Sequence, residues 1–270
     1  MQYLVVDQNV MRKQVLETSV QNDPQTSFII TDTALVEFVK HPRWEHTMRG
    51  SLAILAQAPE RTFVSLSIGE VLHKERATFQ PIDRTALLND DFAQQVREIM
   101  TALISPSSSA ALDDIRQNID AWREDLLKTE ADGAAEKMKL QTLLGQLETA
   151  CGPQMTKDMR AGRMSSQARL ELIRDRGTKI FMNHCAVPPE GAAAFAAKKP
   201  MTLRHVYMQL HQAMWWASNG GLASAPPGAI SNQRLDAEYA LIASFFDGML
   251  TEDRGAKCAY DSLVEILRMT

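Results

Sequence analysis

Asp7, Glu37, Asp236 and Asp253 are acidic residues set beside apolar runs in a chain of 270 residues. Asp7 ends the run "YLVV", and Glu37 lies in the first turns of an amphipathic stretch that follows a second such run. Asp236 opens a late helical stretch, and Asp253 follows a short apolar run in "LTED". If those runs form a parallel α/β sheet, all four carboxylates fall at its carboxyl edge, where the crossover connections leave a crevice. Like charges gathered there repel, which is costly unless a divalent cation shares the site. Hard cations such as Mg²⁺ or Mn²⁺ choose oxygen donors and keep several waters, so two carboxylates and a substrate phosphate suffice to hold one. The chemistry implied is metal-assisted phosphodiester hydrolysis, in which one ion orients or generates hydroxide and a second stabilises the leaving oxygen. Each residue also has a structural reading: Asp7 as a cap, Asp236 as a charge favoured near a helix N-terminus, Asp253 as a turn residue.

The elements that must position these side chains follow from pattern. "YLVV" and "SFIIT" carry the β-branched and aromatic residues that suit strands buried on both faces. After Asp7, "NVMRKQVLETSVQ" has helix-forming content, and "NDP" at 22–24 breaks it. In "DTALVEFVKHPRW", Leu35, Phe38 and Val39 make an apolar face at helical spacing, with Asp32 or Thr33 as cap. "MRGSLAILAQA" at 48–58 reads as a helix and "TFVSLSI" at 62–68 as a third strand. Near the end, "LDAEYALIASFF" predicts a helix, "GMLT" a very short buried strand, and "AKCAYDSLVEILRM" a closing helix. Strands alternating with helices predict a parallel sheet with right-handed crossovers.

The middle differs. From about residue 84 to 184 no strand pattern is visible, and the stretch from "ALDDIR" to Cys151-Gly152-Pro153 is charged and rich in helix formers. The reading is an α/β core over 1–83 and 200–270 with an all-helical insertion at 84–199. "SPSSS" at 105–109 marks its entry and "PPEGAAAFAAKKP" at 188–200 its exit. No self-similarity indicates a solenoid.

Composition sets bounds. A net charge of −4 gives no global attraction to nucleic acid, so a polyanionic partner must be held by a local basic patch or bound cations. Cys151, Cys185 and Cys258 are odd in number and lack CxxC spacing, which argues against a disulfide framework and for a reducing cytoplasm. No secretory signal pattern or membrane-length apolar run is seen, so no membrane partner is expected.

The ordered set of segments resembles the PIN domain, a family of metal-dependent nucleases. "LVVDQNVM" is similar to its opening strand, "FIITDTALVEF" to its second strand and glutamate-bearing helix, and "LDAEYALIASFFDGMLTEDRG" to its closing block. The likeness covers roughly 3–76 and 231–268. It implies a three-layer PIN-like core, Asp7, Glu37, Asp236 and Asp253 as catalytic metal ligands for Mg²⁺ or Mn²⁺, and Asn9 and Thr251 as supporting groups. It also implies an endonuclease acting on single-stranded or structured RNA in preference to DNA. By analogy, a toxin or defence role fits, as does a homo-oligomer or an inhibitory partner. The alternatives are a structure-specific DNA nuclease and an inactive scaffold that binds RNA or protein. The family usually has a fifth strand after the Thr-x-Asp loop, where this chain shows only a helix. Glu70 in "SIGEVLHKE" is an alternative to Glu37, and Asp247 and Glu252 flank the last strand.

Residues 157–179 carry seven basic side chains (Lys157, Arg160, Arg163, Arg169, Arg174, Arg176, Lys179) against three acidic ones (Asp158, Glu171, Asp175). A basic helix there would guide a phosphate backbone, or would simply be a solvated face with intrahelical pairs. His205 and His211 are six apart, poor spacing for a metal on a helix, and Trp215 and Trp216 suit core packing or base stacking. No phosphate-cradling glycine loop or nucleophile motif is present.

Overall fold

A computed structural model describes residues 1–40, 42–104, 110–130, 133–184 and 189–269. Among these, four strands form one parallel sheet: β1 (Gln2–Val6), β2 (Thr26–Ile30), β3 (Thr62–Val64) and β4 (Gly248–Leu250), in the order β3-β2-β1-β4. The helices are α1 (Gln14–Asn22), α2 (Asp32–Lys40), α3 (Trp44–Leu52), α4 (Ile68–Thr78), α5 (Asp90–Ile104), α6 (Ala110–Glu130) and α7 (Gly133–Cys151). They continue as α8 (Pro153–Arg160), α9 (Ser166–His184), α10 (Pro189–Ala197), α11 (Met201–Ser218), α12 (Pro227–Ala243) and α13 (Arg254–Arg268). The chain is thus α/β with helix predominating. It divides into two units. One comprises 1–68, 83–129 and 238–257, and the other 69–82, 130–237 and 258–270.

The first unit holds the whole sheet. β2 is buried along its full length, as suits an inner strand of a parallel sheet, and Phe28, Ile29 and Ile30 belong with Leu16, Phe38, Leu52 and Leu55 to the buried core residues of this unit. β1 and β2 pair from Gln2–Thr26 to Val5–Ile29, whereas β1 and β4 pair from Leu4–Gly248 to Val6–Leu250. The chain therefore steps outward from β1 through β2 to β3, then returns to the other side of β1. That reversal makes the carboxyl ends of β1 and β4 a topological switch point, the place where open α/β sheets leave a crevice. At the outer edge, Arg97 of α5 donates to the Thr62 carbonyl (3.1 Å) and lies over the Phe63 ring, so β3 does not present a bare ladder.

Several expectations are refined. The third strand stops at Val64, and α4 begins at Ile68. The helix expected over 48–58 ends at Leu52 and is followed by a short 3₁₀ turn, Leu55–Gln57. α2 is capped by Thr31, whose hydroxyl accepts from the Ala34 N–H (3.2 Å), rather than by Asp32 or Thr33. The segment 84–129 lies with the sheet-bearing unit. "SPSSS" and the start of "PPEGAAAFAAKKP" lie outside the described residues, as does Cys185.

The second unit is helical. α11 packs against α7, α8 and α9, and Gly177 lets α9 approach Tyr207 so closely that a Cβ there would sit 2.5 Å from the ring. Glu75, 1% exposed, anchors the start of α11. Its carboxylate accepts from the N–H groups of Met201 (2.9 Å) and Thr202 (2.8 Å), the Thr202 hydroxyl (2.7 Å) and the Ile82 N–H (3.1 Å). These donors include two of the unsatisfied amides that every helix N-terminus leaves. Among the described residues no helix is long and apolar enough to cross a membrane.

Candidate active site at the carboxyl edge of the sheet

Asp7 follows β1 directly. Its backbone N–H continues the ladder to the Leu250 carbonyl (3.0 Å), which fixes the residue at the switch point, and only 5% of it is exposed. Its side chain caps the 3₁₀ turn Gln8–Val10, accepting from the Asn9 N–H (3.3 Å). Because Val6 pairs with Leu250, the next residues on the two strands, Asp7 and Thr251, also meet. The Thr251 hydroxyl donates to Asp7 Oδ2 at 2.5 Å.

Thr251 is a hub. Its hydroxyl oxygen also accepts from the Asp253 N–H (2.9 Å) and from Asn9 Nδ2 (3.4 Å), while Asn9 Oδ1 accepts from the Glu252 N–H (3.3 Å). Asp253 precedes α13 and caps it, with Oδ1 accepting from the N–H groups of Gly255 (2.6 Å) and Ala256 (2.9 Å). The turn-and-cap reading of Asp253 is therefore part of its role, and its second carboxylate oxygen is not used by the cap. Asp7, Asn9, Thr251 and Asp253 form one hydrogen-bonded group drawn from two strand ends 244 residues apart in sequence.

Glu37 reaches this neighbourhood from the second turn of α2. It is half-buried and accepts from the Tyr239 hydroxyl at 2.7 Å. One turn earlier, Thr33 donates to Glu238 Oε2 (2.8 Å). Burial pushes the carboxyl of Asp7 above its usual range, and the charge of Asp253 adds to the shift, while the Thr251 and Asn9 hydrogen bonds oppose it. Burial likewise raises Glu37, with the charge of Asp7 adding to it and the Tyr239 hydrogen bond opposing. Burial and the Glu37 carboxylate together keep the Tyr239 phenol protonated. Asp7 thus feels the charge of Asp253, and Glu37 feels that of Asp7 and, in the opposite sense, that of Lys40.

Asp236 is placed differently from expectation. It is the tenth residue of α12 rather than its opening, in the stretch of that helix assigned to the second unit. Glu70 is exposed in the first turn of α4, also in the second unit. Asp247 sits at the amino end of β4, accepts from the Tyr3 N–H (2.7 Å) and pairs with Arg84, whose guanidinium lies 4.6 Å from the Tyr3 ring centre. It braces the sheet end opposite the carboxyl edge. Glu252 is exposed and pairs with Lys13 at 3.7 Å. Sequence reasoning passed over Glu238 and Tyr239, although their place in "LDAEYA" beside Asp236 was the available signal.

The basic stretch divides between α8 and α9 rather than forming one helix. Arg160 makes a two-pronged pair with Glu148 (both 2.7 Å), Arg163 pairs with Asp158 (2.7 Å) and Arg174 with Asp175 (2.9 Å). Arg176 donates to the Ala150 carbonyl (2.8 Å), and Arg169 is half-buried with no carboxylate partner among the described residues. His205 and His211 lie on α11, where burial pushes both imidazoles down to about 4, and Trp216 belongs to a buried cluster with Leu140, Ala213 and Ile230.

Among the described residues no group of three or more His, Cys, Asp or Glu side chains is arranged to hold a metal ion. Comparison of the chain with protein-family models, with curated proteins and with solved structures finds no match.

Proposed function

We propose that the chain is a Mg²⁺- or Mn²⁺-dependent endonuclease that hydrolyses phosphodiester bonds at the carboxyl edge of the sheet, with Asp7, Glu37 and Asp253 as its acidic groups. One observation carries the reading. Asp7 is an almost fully buried carboxylate at the topological switch point, where the negative charge of Asp253 acts on it and its own charge acts on Glu37. An arrangement that raises the energy of its own ionised form is what a fold keeps for a site rather than for stability. The donor set consists of oxygens only, which fits a hard cation, and Mg²⁺ is commonly held by one or two carboxylates, waters and substrate phosphate.

A bound cation would activate water and stabilise the leaving oxygen. The chain itself holds Asp7 in place through Thr251 and Asn9, holds Glu37 through Tyr239, and locks Asp253 by its cap. RNA is the substrate class in this reading, through the resemblance of the strand-end motifs to PIN domains. Basic side chains at 157–179 are assigned to phosphate contacts.

The test is cleavage of end-labelled single-stranded RNA, and of single-stranded and branched DNA, with Mg²⁺, with Mn²⁺ and with EDTA. The expected result is RNA cleavage that requires metal and disappears in Asp7→Asn. Cleavage that persists in excess EDTA overturns the proposal. Cleavage of branched DNA alone replaces the substrate class, and tight RNA binding without cleavage points to a scaffold.

A further inference from the structure

The hydrogen bond that fixes Glu37 comes from a residue outside the acidic set. Tyr239 is 2% exposed, and its hydroxyl donates to Glu37 Oε2 at 2.7 Å. Both residues belong to the sheet-bearing unit. A second bond, Thr33 to Glu238, lies one turn earlier on α2 and one residue earlier on α12. Residues 33 and 37 share a face of α2, so the pair of bonds fastens that face to the start of the 238–243 segment.

The two bonds differ in consequence. Thr33 to Glu238 joins α2 to the 238–243 segment, and neither residue is one of the proposed ligands. Tyr239 to Glu37 engages one oxygen of a proposed ligand, and Glu37 Oε1 accepts no hydrogen bond among the described residues. A buried phenol has only two side-chain torsions and is packed on all sides, so it sets the plane of the carboxylate it grips. Holding a ligating carboxylate by its second oxygen orients the first, and loss of such outer partners typically weakens metal binding about 10- to 100-fold.

We infer that Tyr239 is a positioning residue that holds Glu37 in place for a divalent cation. This rests on the metal-site reading given above. It also distinguishes the two bonds: the Tyr239 bond tunes the site, and the Thr33 bond only supports the helix.

The experiment is calorimetric titration of Mn²⁺ into the full chain, without nucleic acid, for wild type, Tyr239→Phe and Thr33→Val, with folding checked by circular dichroism. Tyr239→Phe removes one oxygen atom and should weaken Mn²⁺ binding by about tenfold or more, while Thr33→Val keeps wild-type affinity. Equal affinity in Tyr239→Phe and wild type overturns the inference and leaves the metal site standing. An equal loss in both variants also overturns it, because the effect is then helix support. Absence of Mn²⁺ binding by wild type removes the metal-site reading and this inference together. Should Tyr239→Phe not fold, Glu37→Asp takes its place. The shorter side chain draws the carboxylate back from the Tyr239 hydroxyl, and a retained wild-type affinity in that variant overturns the inference.

Discussion

Among the described residues two carboxylates, Asp7 and Glu75, are almost fully buried, and they are treated in opposite ways. Glu75, in the helical unit, receives four hydrogen bonds, three of them from the first turn of α11, and its charge acts on Arg204 as an opposite partner. Asp7, in the sheet-bearing unit, receives bonds from Thr251 and Asn9 and faces Asp253 and Glu37, whose charges oppose its own. Burial is the same and the electrostatic setting is reversed. A satisfied buried carboxylate organises its surroundings, whereas one set among like charges costs stability, a cost that the cation proposed above would offset.

That contrast predicts opposite mutational outcomes. The largest effect is on activity: Asp7→Asn should lower phosphodiester cleavage by at least about 10³-fold, or about 4 kcal/mol of barrier, read from initial rates on labelled RNA. Next, Glu75→Ala strands buried amides and should destabilise the chain by roughly 2–4 kcal/mol in urea unfolding, since each orphaned donor costs about 1–3 kcal/mol. An unchanged midpoint for Glu75→Ala would erase the distinction between the two carboxylates.

Acid–base behaviour sharpens the comparison at smaller amplitude. Asp7 and Glu37 are raised, so the folded chain holds their protons more tightly than the unfolded chain. The stability they contribute is present below their unfolded values and is lost as pH rises through the raised folded ones. His211 works in the other direction: its folded value of about 4 lies below the ordinary 6.5, so stability is lost as pH falls between the two. Subtracting the two melting curves cancels the histidine contribution. Metal-free Asp7→Asn should melt at or above wild type near neutral pH, and the gap should close on acidification toward about pH 4. A gap that widens in acid contradicts the charge assignment.

The smallest effect concerns the basic stretch. Arg160 and Arg163 already hold carboxylates, whereas Arg169 has no carboxylate partner among the described residues. Replacing all three with Gln should therefore reduce the log–log salt slope of RNA binding by about 0.7, one phosphate contact, rather than about 2. Fluorescence anisotropy at several salt concentrations reads this directly.

What the sequence made legible follows physical range. β1, β2 and β4 were visible as short apolar runs, although only β2 is buried along its full length, and Asp7 and Asp253 were visible because they stand within three residues of the ends of such runs. The end of β3 at Val64 was not, because Ser65, Leu66 and Ser67 continue the alternation while Ser65 and Leu66 turn to pair with Leu87 and Leu88. The start of α12 at Pro227 was hidden by a proline that reads as a breaker but serves as a first-turn residue, and this shifted Asp236 from helix opening to helix interior. Tyr239 and Glu75 act through partners more than 100 residues away, which no local pattern reports. The pairs made by Arg160 and Arg163 were likewise hidden, since a net-charge count does not show which charges already hold partners.

The central claim is that a divalent cation resolves the repulsion at the end of β1. Crystals of the wild-type chain soaked in Mn²⁺, with diffraction recorded at the manganese absorption edge, test it most directly. The account predicts an anomalous peak about 2 Å from oxygens of Asp7 and Glu37, absent in Asp7→Asn. A map with no peak beside Asp7, from crystals that take up Mn²⁺ elsewhere, would contradict it.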